Sequence, residues 1–205
     1  MLVLLHVIFL LSTSVAVNRR FKTGLNISLL VSSVLTGTVI TFMTEVLSLF
    51  HSFSFYPLTL AWFAVTIVAI SRALPELRLG LKEKPWRWNK FFFDEQFLLF
   101  LVGLTLFITA LTASASTPNT WDSMTYHLAR VEHWIQNKTI AYYPTHIIRQ
   151  LYYCPWAEFA IAHLRLLCPW ESIVNLLQWF AMAGSLVAVS LIVKQLGGSR
   201  RGQLM

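Results

Sequence analysis

Charge is scarce in this sequence. Only 12% of its 205 residues are charged, with nine acids against sixteen Lys and Arg, where a soluble domain carries about 25%. With 56% hydrophobic residues and a mean hydropathy of +0.61, that shortage argues against an ordinary soluble globule. Cysteine is nearly absent as well. Cys154 and Cys168, fourteen apart, leave open either a disulfide or a pair of buried thiols. No internal repeat or low-complexity segment is present, so solenoid architectures are excluded.

What the chain does have is long apolar runs, over Leu2–Val17, Leu25–Phe50, Tyr56–Leu74, Phe97–Ala113 and Ile173–Val193. A helix needs roughly 20 mainly apolar residues to cross a hydrocarbon core of about 30 Å. Lipid cannot satisfy unpaired backbone groups, so such runs are expected to be helices. A secretory signal has basic residues before its apolar run. Here nothing basic precedes Leu2, and Arg19, Arg20 and Lys22 follow Val17. The first run is therefore expected to be a retained span with its amino end outside.

The basic residues give an orientation. Arg72, Arg78, Lys82, Lys84, Arg87 and Lys90 fill the third connection, and Lys194, Arg200 and Arg201 follow the fifth run. Five alternating crossings bring these clusters to one side, which the positive-inside rule makes cytoplasmic. The net charge of +7 is then a topology signal. A nucleic-acid footprint would gather on one face or helix, so nucleic acid is excluded as a partner. Segments His51–Phe55 and Ser114–Ser172 are left outside. The expected fold is an all-α polytopic membrane protein of about five transmembrane helices, with an outer loop of membrane-parallel amphipathic helices.

Two parts follow. Residues 1–96 form a three-span segment ending in a basic cytoplasmic loop. Residues 97–205 comprise a fourth span, the large outer loop (114–172) and a fifth span. The cytoplasmic stretch "PELRLGLKEKPWRWNKFFFDEQF" suits an interfacial segment, with aromatics at headgroup depth, or a plain solvated connector. Glu45, late in the second run, is a functional candidate as an intramembrane acid or a group reaching the interface. The tail "KQLGGSRRGQLM" reads like a break inside a larger protein.

The outer loop is too long for a mere connector, and its chemistry is concentrated in "WDSMTYHLARVEHW", residues 121–134. Thr120 or Asp122 can cap a helix there. Met124, Leu128, Val131 and Ile135 recur at helical spacing and form an apolar stripe. At about 100° per residue, Asp122, Tyr126 and His133 project from the opposite side, with Arg130 and Asn137 at its edge. Trp121 and Trp134 suggest that this helix rests on the membrane surface. The helix dipole favours an anion at Asp122, and a carboxylate there can accept a hydroxyl proton or bind a divalent cation. Its plain alternative is an N-cap. His127 and His133, six apart, do not form the i, i+4 pair of a zinc helix. Downstream, "NKTIAYYPTHIIRQLYYCPWAEFAIAHLRLL" is aromatic and turn-rich, then helical from about Trp156 to Leu167. Its tyrosines can stack on sugar rings or anchor at the interface, Arg149 can pair with phosphate, and Asn137-Lys-Thr139 fits a glycosylation acceptor.

The stretch "TWDSMTYHLARVEHWIQNKTIAYYPTHIIRQLYYCPWAEFAIAHL" resembles the first large outer loop of bacterial GT-C glycosyltransferases. That group includes protein mannosyltransferases, aminoarabinose transferases and Rgt-like enzymes. The resemblance covers roughly Phe97 to Leu204. It implies transfer of a sugar from a polyprenyl-phosphate carrier at the non-cytoplasmic face, in a bacterial inner (plasma) membrane. Asp122, Tyr126 and His127 match the motif, and the resemblance makes Asp122 the general base or a metal-assisting carboxylate. Arg149 and Tyr152 then become contacts for carrier phosphate or sugar, and His133 joins Tyr126 and His127 as substrate-binding. A divalent cation is left open as cofactor, with Asp122 as its ligand. The expected partners are the bilayer, the lipid-linked donor and the remaining spans of a longer protein. Two departures stand: Ser123 occupies the place where relatives often carry a second acid, and the GT-C core has more than five spans. The competing expectation is a non-catalytic truncated or accessory membrane protein.

Overall fold

In the computed structural model, residues 2–80 and 93–204 are described, with side chains for 2–76 and 95–204. Among these residues the chain is all-helical. Helices α1 (Leu4–Phe21), α2 (Leu25–Leu49) and α3 (Phe55–Gly80) form the amino-terminal part, and α4 (Phe93–Ala115) follows the basic connection. Next come a π turn (Ser123–His127), α5 (Leu128–Asn137), the single turn α6 (Arg149–Tyr152) and α7 (Trp156–Leu167). A 3-10 turn (Glu171–Val174), α8 (Asn175–Gln195) and the short α9 (Arg200–Leu204) complete the order. The interfacial expectation for residues 75–97 falls largely outside the described residues.

Five helices are long and apolar enough to cross a membrane: Leu4–Phe21, Leu25–Leu49, Phe55–Glu76, Glu95–Ala115 and Glu171–Gln195. All five coincide with the apolar runs of the sequence. Their large side chains point outward, Phe42, Leu60, Ile67, Phe107 and Val189 among them. Such a surface is costly in water and cheap against acyl chains.

Helix α1 packs on both α2 and α3. The α2 face turned inward is a stripe of small residues, Ser28, Ser32, Thr36, Gly37, Thr44 and Ser48, which lets helix backbones approach closely. Its hydroxyls return bonds to the preceding turn, as Thr36 Oγ1 does to Ser32 O (2.7 Å) and Thr44 Oγ1 to Ile40 O (2.9 Å). Helices α4 and α8 form a second pair, joined where Trp179 Nε1 donates to Leu106 O (3.0 Å) and Asn175 Nδ2 to Ser116 O (2.7 Å).

Residues 123–167 sit against the end of α2. Ser48 Oγ lies 2.9 Å from Thr139 Oγ1 and accepts from Ile140 N (2.9 Å), while Phe53 N donates to Lys138 O (3.1 Å). Helix α7 packs on α2, α3 and α5. Buried His163 joins it to two spans, accepting from Trp62 Nε1 at Nδ1 (3.0 Å) and meeting Thr44 Oγ1 at Nε2 (2.9 Å). Both cysteines are free thiols, Cys154 exposed and Cys168 buried.

Candidate functional site

The 121–137 helix begins at Trp121, and its cap is Thr120, whose Oγ1 accepts from Ser123 N (3.2 Å). Asp122 makes no side-chain cap bond and stands exposed in the first turn. Of the two residues able to cap, Thr120 does so and leaves the carboxylate of Asp122 to other partners.

The spacing argument fails at the next turn. Leu128 N bonds to Ser123 O, an i→i−5 bond that inserts an extra residue into the turn and shifts the face of everything upstream. The buried positions are Tyr126, Arg130, Val131 and Trp134. Of the expected apolar stripe only Val131 is fully covered, and Met124 is 58% exposed. Tyr126, expected on the polar face turned outward or into a cleft, and Arg130, expected at its edge, are buried. So is Trp134, expected at the membrane surface, whereas Trp121 remains 79% exposed. The polar side is covered because α6, α7 and the chain between them pack over it.

Arg130 shows what that cover provides. Its guanidinium donates to Tyr153 O (2.9 Å) and Leu151 O (3.3 Å), stacks over Trp134 (4.8 Å), and lies 3.6 Å from Glu158 Oε1. Gln150 closes the same region, donating to Thr125 O (2.7 Å) and accepting from Tyr143 Oη (3.0 Å) and Thr145 Oγ1 (2.9 Å). Glu158, only 1% exposed, takes His127 Nδ1 at 2.8 Å on Oε1.

Four of the six residues predicted from sequence converge around Tyr126. Its phenol feels the charge of the Asp122 carboxylate. Its ring meets His127 (centroids 4.3 Å apart) and Tyr153 (5.4 Å), and Arg149 lies over it at 5.8 Å. Burial, then the nearby Asp122 carboxylate, pushes the Tyr126 pKa up, so the phenol stays protonated at neutral pH. Tyr152 borders the group through Tyr153 (4.7 Å). The Tyr153 hydrogen bond, then burial, raises its pKa. His133 does not join the group and stacks on Tyr143 (4.2 Å).

A cleft of about 190 Å³ opens on the other side of α6, lined in part by Glu45, Arg130, Trp134, Tyr142, Tyr143 and Gln150. It brings the acid singled out in the second apolar run to the same wall as Arg130. Glu158 and Gln150 were missed from sequence. A lone acid in the apolar segment "WAEFAIAHL" was the available signal for Glu158, since a buried carboxylate requires a partner. No comparable signal marks Gln150. Among the described residues no three of His, Cys, Asp and Glu come together. No family model, curated protein or solved structure matches the chain.

Proposed function

We propose that the chain belongs to a GT-C-like glycosyltransferase that moves a sugar from a polyprenyl-phosphate carrier at the non-cytoplasmic face of a bacterial inner membrane. The reading rests on the motif resemblance. The observation that carries it is the Asp122 carboxylate, exposed and released from capping by Thr120, its charge acting on the phenol of Tyr126, whose ring Arg149 overlies. A carboxylate and a guanidinium that share Tyr126 as a neighbour supply the two charges this transfer uses. The carboxylate accepts the proton of the attacking hydroxyl, and the guanidinium pairs with phosphate.

In this reading the segment 114–172 is the outer loop, lying along the membrane with its helices parallel to the surface. Exposed Trp121, Tyr142, Tyr152 and Trp170 are the aromatic anchors at headgroup depth. Asp122 is the proton acceptor, Tyr126 holds it, Arg149 contacts the carrier phosphate, and Tyr152 offers an aromatic face to the sugar.

The test uses membranes from cells expressing the open reading frame that encodes these residues, supplied with polyprenyl-phosphate-linked glucose, galactose or mannose. Asp122→Asn is expected to abolish transfer while the protein inserts at the wild-type level. Undiminished transfer in Asp122→Asn would remove the proposed role.

A further inference from the structure

His127 stands at an unusual junction. Its Nδ1 lies 2.8 Å from Oε1 of Glu158, and its side chain is 35% exposed while that of Glu158 is 1% exposed. A carboxylate only accepts, so the proton on this bond belongs to Nδ1. Nε2 is then the ring nitrogen that Glu158 leaves free to pass a proton. The tie joins the π turn to α7, thirty-one residues on. π turns of this kind are frequent at functional sites because they re-aim a side chain.

Glu158 needs this partner for an electrostatic reason. A buried carboxylate must be paired, and its second cation, Arg130, stands farther off at 3.6 Å with two donors already committed to main-chain carbonyls. Oε2 of Glu158 has no hydrogen-bond partner. The ionisable groups facing His127 or its neighbour Tyr126 are Glu158 from α7, Arg130 from α5, Asp122 from its own helix, and Arg149 and Tyr153 from the α6 segment.

Asp122 and His127 are both neighbours of Tyr126, one acting on its phenol by charge and the other against its ring. We infer that His127, held by Glu158, is the proton donor to the departing phosphate oxygen, opposite Asp122 as proton acceptor. This assignment rests on the sugar-transfer reading above. The acceptor oxygen forms its bond to the anomeric carbon and yields its proton to Asp122. The bond from that carbon to the phosphate oxygen breaks with its electron pair on oxygen, and that oxygen takes the Nε2 proton. Proton exchange through water restores both groups. Glu158 is a positioning residue in this scheme.

The test compares two donors in the same membranes: a polyprenyl-phosphate hexose and the matching hexosyl fluoride, whose leaving group departs with far less need of a proton. His127→Gln is expected to slow transfer from the phosphate donor by about 10²–10⁴-fold, the usual size of a general-acid contribution, and to slow the fluoride far less. Glu158→Gln should show the same donor dependence, which a merely structural tie would not produce. Asp122→Asn should lose activity on both donors. Equal losses of His127→Gln on both donors overturn the role of His127 alone, and a wild-type protein that transfers from neither donor overturns the sugar-transfer reading with it. Independently, ¹⁵N-histidine NMR of the detergent-solubilised protein, with His127→Gln giving the assignment, should find the neutral ring protonated at Nδ1. The opposite tautomer would sink the assignment.

Discussion

The indole Nε1 of Trp62 donates to Nδ1 of His163 across 3.0 Å, and this bond dictates the chemistry of the imidazole. Nδ1 is the acceptor, so Nε2 carries the hydrogen and gives it to Thr44 Oγ1, whose own hydroxyl goes to Ile40 O. The ring is neutral in this arrangement, because a second ring proton would break the Trp62 bond. Burial, followed by the charge of nearby His6, pulls the pKa of His163 well below its ordinary 6.5. A depressed histidine value means the unfolded chain binds more protons between the two values, so stability rises with pH there. The contribution is complete above about pH 6.5 and is lost as pH falls toward the lowered folded value. Hydrogen exchange of the α7 amides between pH 7.5 and 5 should show protection falling with pH, by at most about 1.4 kcal/mol per unit. His163→Phe removes the ring nitrogens and should flatten that dependence, at a cost of about 1–3 kcal/mol for each buried partner left unpaired.

Gly37 and Trp156 make a steric prediction. A Cβ added at Gly37 would stand 2.9 Å from Cζ2 of the Trp156 indole. The indole is the end of a side chain and is partly exposed, so Gly37→Ala shifts it at little cost. Gly37→Leu fills the space the ring occupies and should lower the thermal midpoint in detergent. Trp156→Ala introduced alongside should recover part of that loss, as contacting residues couple in a double-mutant cycle. Strictly additive effects would show that the ring does not rest on α2 at this point.

The spans were legible in the sequence because a membrane imposes a simple rule, length times apolarity, and all five runs became helices within a few residues of the expected bounds. The candidate site was only partly legible. Asp122, Tyr126 and His127 lie within about a turn of one another, whereas Arg149, 22 residues after His127, is brought over Tyr126 by the packing of α6 on the π turn. The apolar stripe from Met124 to Ile135 was misjudged, because the i→i−5 turn at Ser123–His127 breaks the 100° arithmetic on which it depended. Arg130 looked like an edge residue and proved buried, its burial decided by carbonyls at Leu151 and Tyr153 that no local pattern announces. Glu158 and His163 sit in a helix whose composition reads as apolar. Their partners, at 127, 44 and 62, are tertiary facts.

Arg130 and Glu158 should behave as a coupled pair. Removing one partner of a buried ion pair strands a charge and costs about 3–5 kcal/mol, whereas replacing both with apolar residues of similar size can be neutral. Arg130→Met is therefore expected to destabilise strongly, through both Glu158 and the two carbonyls it serves. The double variant Arg130→Met with Glu158→Leu should be less destabilised than the sum of the singles. Thermal unfolding of all four proteins in one detergent measures the difference, and a coupling near zero would mean that the 3.6 Å contact carries no energy.

The two thiols offer a test of sidedness without any engineered residue. Cys154 is exposed and Cys168 buried, so a membrane-impermeant maleimide should label the folded protein once, and Cys154→Ser should abolish that label. Cys154 follows directly on the α6 segment that carries Arg149, so the face on which it reacts is the face on which the proposed chemistry occurs. Intact spheroplasts, which present the periplasmic side of the inner membrane, are expected to label at Cys154. Inverted vesicles should protect it until they are opened with detergent. Labelling only in inverted vesicles would put the Asp122 group on the cytoplasmic side. The positive-inside argument from Arg72, Lys194 and their neighbours would then fail together with the outer-face sugar-transfer reading, whereas the internal geometry at Tyr126 would stand.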